Sequence, residues 1–308
     1  MRTKGLCMTA LVMVLVLSLS ACSPIVEDAP QTLSLYATFY PIYALAGMVV
    51  KDIPDLELHC LVQPQDGCLR SYTLSDWDLY LLSYSANAVL SGGSGLECFS
   101  GTLESMAETQ FSLIEILYGL PLYQESEDDG EDATHFDGGN PHLYMSIDGA
   151  IWMLQNIAGS LSVIDQRYAD QYMKNLDTAI EELKALQAAF FEQTSVCNGK
   201  KAAVLNEALV YVAQDCRMEI VATVERESGI NLYDDELKKC IVELSESGAE
   251  IVLIEQQAPK PLIDALETAG FSVARLDILS TRSEADGIQG YFDAQMNNAQ
   301  ALAEACAS

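Results

Sequence analysis

Positive charge is scarce in this 308-residue chain: 16 Lys and Arg stand against 45 Asp and Glu, for a formal net charge of -29. A surface of that sign repels phosphate backbones, which makes nucleic acid a poor partner. It attracts cations instead, although solubility outside a cell asks for the same acidity. Histidine is scarcer still, at three residues, so a histidine-dependent hydrolase would have to use His59, His135 or His142. Three enzyme signatures are missing: the Gly-x-x-x-x-Gly-Lys-Ser/Thr phosphate loop, His-Glu-x-x-His, and the Gly-x-Ser-x-Gly elbow. Gly92-Gly93-Ser94-Gly95-Leu96 lacks the final glycine of that elbow. There is no Cys-x-x-Cys pair, which excludes a zinc ribbon. Beyond Cys22 the cysteines are scattered: Cys60, Cys68, Cys98, Cys197, Cys216, Cys240 and Cys306. Their odd number leaves at least one thiol outside any disulfide. Cys60 and Cys68 are the nearest pair, and the sequence fixes no pairing.

What the chain does have begins at its start. Arg2 and Lys4 open it, residues 5–21 are uncharged and mostly apolar, and Glu27 and Asp28 are the first acids. That is the layout of a secretory signal peptide. The box Leu19-Ser20-Ala21-Cys22 resembles the lipobox of bacterial lipoproteins, in which the cysteine is lipidated and becomes the first mature residue. A soluble protein with an ordinary cleaved leader and a single uncleaved span are the competing readings. The apolar run is at the short end of the roughly 17–25 residues a spanning helix needs. Nothing later in the chain is long and apolar enough to span.

The body that follows reads as alternating strands and helices. Residues 23–30 read as a polar tether. Strand-length apolar runs occur at 33–39, 56–62, 88–91 and 112–116, and again at 201–205, 219–223, 251–255 and 272–277. Ser75, with Asp76 and Asp78 behind it, reads as a helix N-cap. Residues 124–140 are too acidic to bury a face and read as a loop. From Asp165 to Thr194 runs one long helix pattern with an apolar stripe of Tyr168, Tyr172, Leu176, Ile180, Leu183 and Leu186. The expectation is an α/β fold of two lobes, each a mainly parallel sheet flanked by helices, joined by one long linking helix. Its expected boundaries are a leader at 1–22, a tether at 23–30, an N-terminal lobe at 31–164, a linking helix at 165–194 and a C-terminal lobe at 199–308.

Four stretches, in order behind a lipobox, carry a resemblance. They are Ala37-Thr38-Phe39-Tyr40-Pro41-Ile42-Tyr43, Asn140-Pro141-His142-Leu143-Tyr144, the linking helix, and Tyr291-Phe292-Asp293-Ala294-Gln295-Met296-Asn297-Asn298. Together they resemble the zinc/manganese class of solute-binding lipoproteins that serve ABC importers. The resemblance implies a lipid-anchored, non-enzymatic protein on the extracytoplasmic face of the cell membrane. Its ligand would be a divalent metal, zinc or manganese, held between the lobes, and its partner an ABC permease in the same membrane. Members of that class clamp the metal with four ligands, mostly histidine and carboxylate.

Carried over position by position, the clamp is altered. The first ligand motif falls on Arg70-Ser71-Tyr72-Thr73-Leu74-Ser75, so Arg70 stands where a histidine is expected, and a guanidinium has no lone pair to give. His142 keeps the second position. Asn206 takes the third, with Glu207 beside it. Asp277 fits the fourth, with Glu255 in reserve. Arg70 is expected to face Asp277, because a buried carboxylate without a metal needs a cation. Two functions follow: a metal importer component with a rebuilt site on His142, Asp277, Asn206 and Glu207, with Cys68 or Glu255 as a further donor, or the same fold with the metal site lost, binding a non-metal ligand or acting as an adhesin-like surface lipoprotein. The bland readings are a structural His59, a solvated His135 among the loop acids, helix capping by Asp277, and packing for Met145, Met153 and Met173.

Overall fold

A computed structural model of the chain describes residues 32–63, 72–124, 139–224, 234–280 and 282–307. Cys22, Cys68, Arg70, His135 and positions 125–138 of the expected acidic loop lie outside them. The first sheet is built from β1 (Leu33–Ala37), β2 (Leu56–Cys60), β3 (Ala88–Ser91) and β4 (Ser112–Glu115), in the order β2-β1-β3-β4. Between them run α1 (Tyr40–Val49), α2 (Asp76–Ser85) and α3 (Ser100–Ala107). All pairings are parallel, as helical crossovers require. The N-cap expected at Ser75 is present. Its hydroxyl accepts from Asp78 N at 3.2 Å while Asp78 Oδ2 accepts from Ser75 N at 2.8 Å, a capping box.

Two helices leave this sheet. α4 (Ile147–Ile164) starts at the Ser146 cap, and α5 (Ala169–Thr194) carries the chain onward. The α-helical part of the linker begins four residues later than the sequence pattern suggests. Gln166–Tyr168 is a 3-10 turn, held where Arg167 Nε donates to Asp165 Oδ1 at 2.8 Å and Tyr172 donates to Asp165 Oδ2 at 3.1 Å. Tyr172, Leu176, Ala179, Leu183, Leu186 and Phe190 form the buried stripe of α5. Their spacing of three and four residues puts one apolar face on the core. Ile180, expected in that stripe, is half-buried at its edge.

The second sheet repeats the first. β5 (Lys201–Val204), β6 (Glu219–Thr223), β7 (Ile251–Glu255) and β8 (Ser272–Leu276) lie in the order β6-β5-β7-β8, again all parallel. Its helices are α6 (Val210–Asp215), α7 (Asp234–Ser247) and α8 (Lys260–Thr268). Every residue of β7, Ile-Val-Leu-Ile-Glu, is buried, as a strand covered on both faces must be. The last helix, α9 (Gly287–Ala307), returns to pack on α1 and α5. Both sheets belong to one compact unit, Leu33–Ser308. Cys197, just past α5, forms a disulfide with Cys306 near the end of α9. Cys60 is instead a free, buried thiol whose Sγ lies 3.4 Å from Val62 O. No described helix is long and apolar enough to cross a membrane.

Candidate functional site

In open parallel sheets, ligands are met at the carboxyl ends of the strands, where neighbouring crossovers leave in opposite directions. The C-terminal sheet places its candidates there. Asn206 and Glu207 follow β5, Glu255 ends β7, and Asp277 follows β8. The β7–β8 register sets Glu255 opposite Leu276, so Glu255 and Asp277 end adjacent strands. Glu255 is fully buried. Asn206 Oδ1 accepts from Ala208 N at 3.0 Å and caps the short 3-10 turn Glu207–Leu209.

The N-terminal lobe meets this end through residues 139–146. Tyr211 donates its hydroxyl to Asn140 O at 2.6 Å and accepts from Tyr123 N at 3.0 Å, so one side chain of α6 ties down both members of the Tyr123–Asn140 β-bridge. Burial pushes the Tyr211 hydroxyl up to about 12, and it stays a neutral donor. Asn140 Nδ2 donates to Glu207 O at 2.8 Å. Asn140 Oδ1 accepts from His142 N at 3.0 Å and sits 3.0 Å from His142 Nδ1. His142 Nδ1 also lies 3.9 Å from Glu207 Oε1, with both side chains largely buried. Two candidates from opposite lobes are thereby brought together. In the tautomer that donates Nδ1–H to Asn140 Oδ1, the lone pair is on Nε2.

Asp277 is differently engaged. Its Oδ1 accepts from Leu279 N at 2.7 Å, and its Oδ2 accepts from Arg282 Nε at 3.0 Å. Asn298 on α9 clamps its backbone, accepting from Asp277 N at 2.7 Å and donating to Asp277 O at 2.9 Å. Arg70, expected to face Asp277, lies outside the described residues, and the cation observed at Asp277 is Arg282. Among the described residues, no group of three or more His, Cys, Asp and Glu side chains is placed to hold a metal ion. The segment after Arg282 reaches the other lobe, where Glu284 Oε2 accepts from Cys60 N at 3.2 Å and Tyr40 donates to Gly287 O at 2.7 Å. His59 is half-exposed on β2, 4.8 Å from the Tyr36 ring centroid. Met145 and Met153 are core residues, but Met173, expected to pack, is 45% exposed.

A second interlobe contact lies one short turn beyond His142. Asp215, ending α6, accepts from Ser146 Oγ at 3.2 Å and from the Ile147 amide at the start of α4. Burial pushes its carboxyl up to about 7, against those two hydrogen bonds. Because the folded pKa is raised, the native state holds its proton where the unfolded chain has released it. Stability from this group is full below about pH 4, falls as pH rises, and is gone above about 7. Asp215→Asn removes that loss. A cavity of about 150 Å³ borders the group. The variant should therefore be more stable than the parent by roughly 1–2 kcal/mol at pH 8 and indistinguishable from it near pH 4. Urea melts at the two pH values measure this; an equal difference at both would refute the assignment.

The chain matches the family model described as zinc-uptake complex component A periplasmic, over residues 35–305. It is similar to the zinc-binding lipoprotein AdcA of Streptococcus pneumoniae, 24% identical over 298 residues, covering 93% of this chain and 58% of that protein. It is also similar to the high-affinity zinc uptake system protein ZnuA of Bacillus subtilis, 23% identical, covering 90% of this chain and 88% of that protein. The chain spans 58% of the length of the first of these relatives. Among solved structures, the fold resembles FpvC of Pseudomonas aeruginosa in complex with Mn2+, at a TM-score of 0.75 and 22% identity, covering 90% of this chain and 99% of that one. Zn(II)-bound AdcA of Streptococcus pneumoniae superposes at a TM-score of 0.74 and 21% identity, over 90% of this chain and 58% of that one. The family model covers nearly all of both lobes, and the chain belongs to the ZnuA family of zinc-uptake complex component A proteins.

Proposed function

We propose that this protein is the extracytoplasmic substrate-binding component of an ABC importer for a divalent transition metal of the zinc or manganese class. The observation that carries the reading is the meeting of His142 and Glu207 from opposite lobes, with Glu207 Oε1 3.9 Å from the Nδ1 edge of the ring that Asn140 orients. Neutral imidazole with carboxylate is the donor chemistry of zinc, and added oxygens suit manganese. Asn206 supplies an amide oxygen beside Glu207. Asp277 and Glu255 end the neighbouring strands. The relatives named as a zinc-binding lipoprotein and a zinc uptake protein support the cargo class. The lipid on Cys22 would hold the chain near its permease, so Cys22→Ser should release it into the medium. The role is capture and release rather than turnover.

The test is equilibrium binding of Zn2+ and Mn2+ to the chelator-stripped protein, followed by thermal shift. A ligand at 100 times its dissociation constant adds about 2.7 kcal/mol. His142→Ala and Glu207→Gln should each weaken binding at least about tenfold. A second reading, the same fold with its metal site lost, is favoured by one observation: Asp277 already holds an arginine. No binding of either ion by the parent protein selects that reading.

A further inference from the structure

Arg282 is a cation that none of the sequence motifs accounts for. Its Nε lies 3.0 Å from Asp277 Oδ2, and the side chains are 23% and 13% exposed. A carboxylate so covered needs a positive partner. Among the described residues Asp277 is the carboxylate paired with this arginine, and the Tyr40 hydroxyl is its other polar neighbour. It sits beside the first turn of α9, where a Cβ on Gly290 would come within 3.4 Å of Arg282 Nη1 and 2.5 Å of Tyr40 Oη. A helix N-terminus is the unfavourable end for a cation. Asp277 is therefore what keeps the guanidinium in place.

We propose that Arg282 is the resident counter-cation of the cleft, competing with the cargo ion for Asp277 and thereby setting how tightly the cargo is held. This rests on the reading of the cleft as a cation site. A guanidinium does not lose its proton at any physiological pH, so it cannot yield by titration. It must move when a divalent ion takes the carboxylate, since the two positive charges repel at that range. The segment that moves with it is the strap from Arg282 to Gly287. Two contacts of that strap reach the N-terminal lobe, Glu284 to Cys60 N and Gly287 O to Tyr40. Loading would shift the strap, whose residues Glu284 to Asp286 are exposed.

The experiment compares Zn2+ affinity of the full chain with that of Arg282→Gln and Arg282→Lys. Removing the competitor should tighten binding by about tenfold, the equivalent of one charged hydrogen bond. Arg282→Lys keeps a positive charge and should return affinity to the parent value, which a merely structural role would not predict. Hydrogen exchange at the Cys60 amide, without metal, should quicken in Arg282→Gln as the strap loses its anchor. If the parent binds and Arg282→Gln binds no better, the competition is overturned while the metal reading stands. If only Arg282→Gln binds, Arg282 is the block and the parent is not a metal carrier. If neither binds, both ideas fall.

Discussion

Replacing Cys197 and Cys306 together by serine should destabilise the protein by about 4–5 kcal/mol and lower its melting midpoint by roughly 10 °C. The two residues are 109 apart in sequence, and the bridge between them encloses all four strands of the second sheet. Loop-closure entropy grows with the length of chain enclosed, and a loop of about 100 residues is near the top of that scale at about 4.7 kcal/mol. Both sulfurs are buried, Cys197 fully, so serine hydroxyls in their place would also lack good partners. Alanine at both sites separates the two effects: it keeps the entropic loss and removes the polar cost. Guanidinium melts of the parent, the serine pair and the alanine pair give the answer. A loss under about 1 kcal/mol in the alanine pair would show that the unfolded chain is not restrained by the bridge.

The bridge also marks where the sequence stops being informative. Local patterns were readable because their partners lie three or four residues apart. The Ser75 cap with Asp78, the α5 stripe from Tyr172 to Leu186, and the apolar run Ile251 to Ile254 of β7 all follow from local pattern alone. Strand-helix alternation then led to two parallel sheets. The strand-end placement of Asn206, Glu207, Glu255 and Asp277 is a consequence of that topology. What escaped is long-range pairing. Cys197 with Cys306, Tyr211 with Asn140, and Cys60 N with Glu284 carry no spacing signal, since 109, 71 and 224 residues separate them. Arg282 is only five residues from Asp277 and was within reach of a sequence argument. A buried carboxylate at a strand end calls for a cation, and the nearest arginine in the following loop is the simplest supplier.

The glycine-rich turn after β3, which fails as a hydrolase elbow, has a different use. Glu97 is 1% exposed, and its carboxylate is ringed by four donors. Oε1 accepts from Thr38 Oγ1 at 2.6 Å and Gly92 N at 2.7 Å; Oε2 accepts from Ser91 Oγ at 3.1 Å and Gly93 N at 3.2 Å. Thr38 follows β1, Ser91 ends β3 and Gly92 and Gly93 follow it, so the carboxylate fills the crevice where the first sheet's crossovers diverge. Gly93 adopts φ +73, a conformation few side chains accept, which aims both amides inward. Burial still outweighs these bonds and pushes the Glu97 carboxyl up from its ordinary value. Glu97→Ala should cost about 3–5 kcal/mol, because it leaves a cavity and strands the buried Gly92 N–H without an acceptor, while Gly93 N–H keeps only Ser91 Oγ at 3.2 Å. Glu97→Gln fills the same volume but must turn its NH2 toward one of those N–H groups, for a smaller loss of about 1–3 kcal/mol. The order of the two variants is the diagnostic: a glutamine as costly as alanine would mean that charge, rather than acceptor count, holds the two strand ends together.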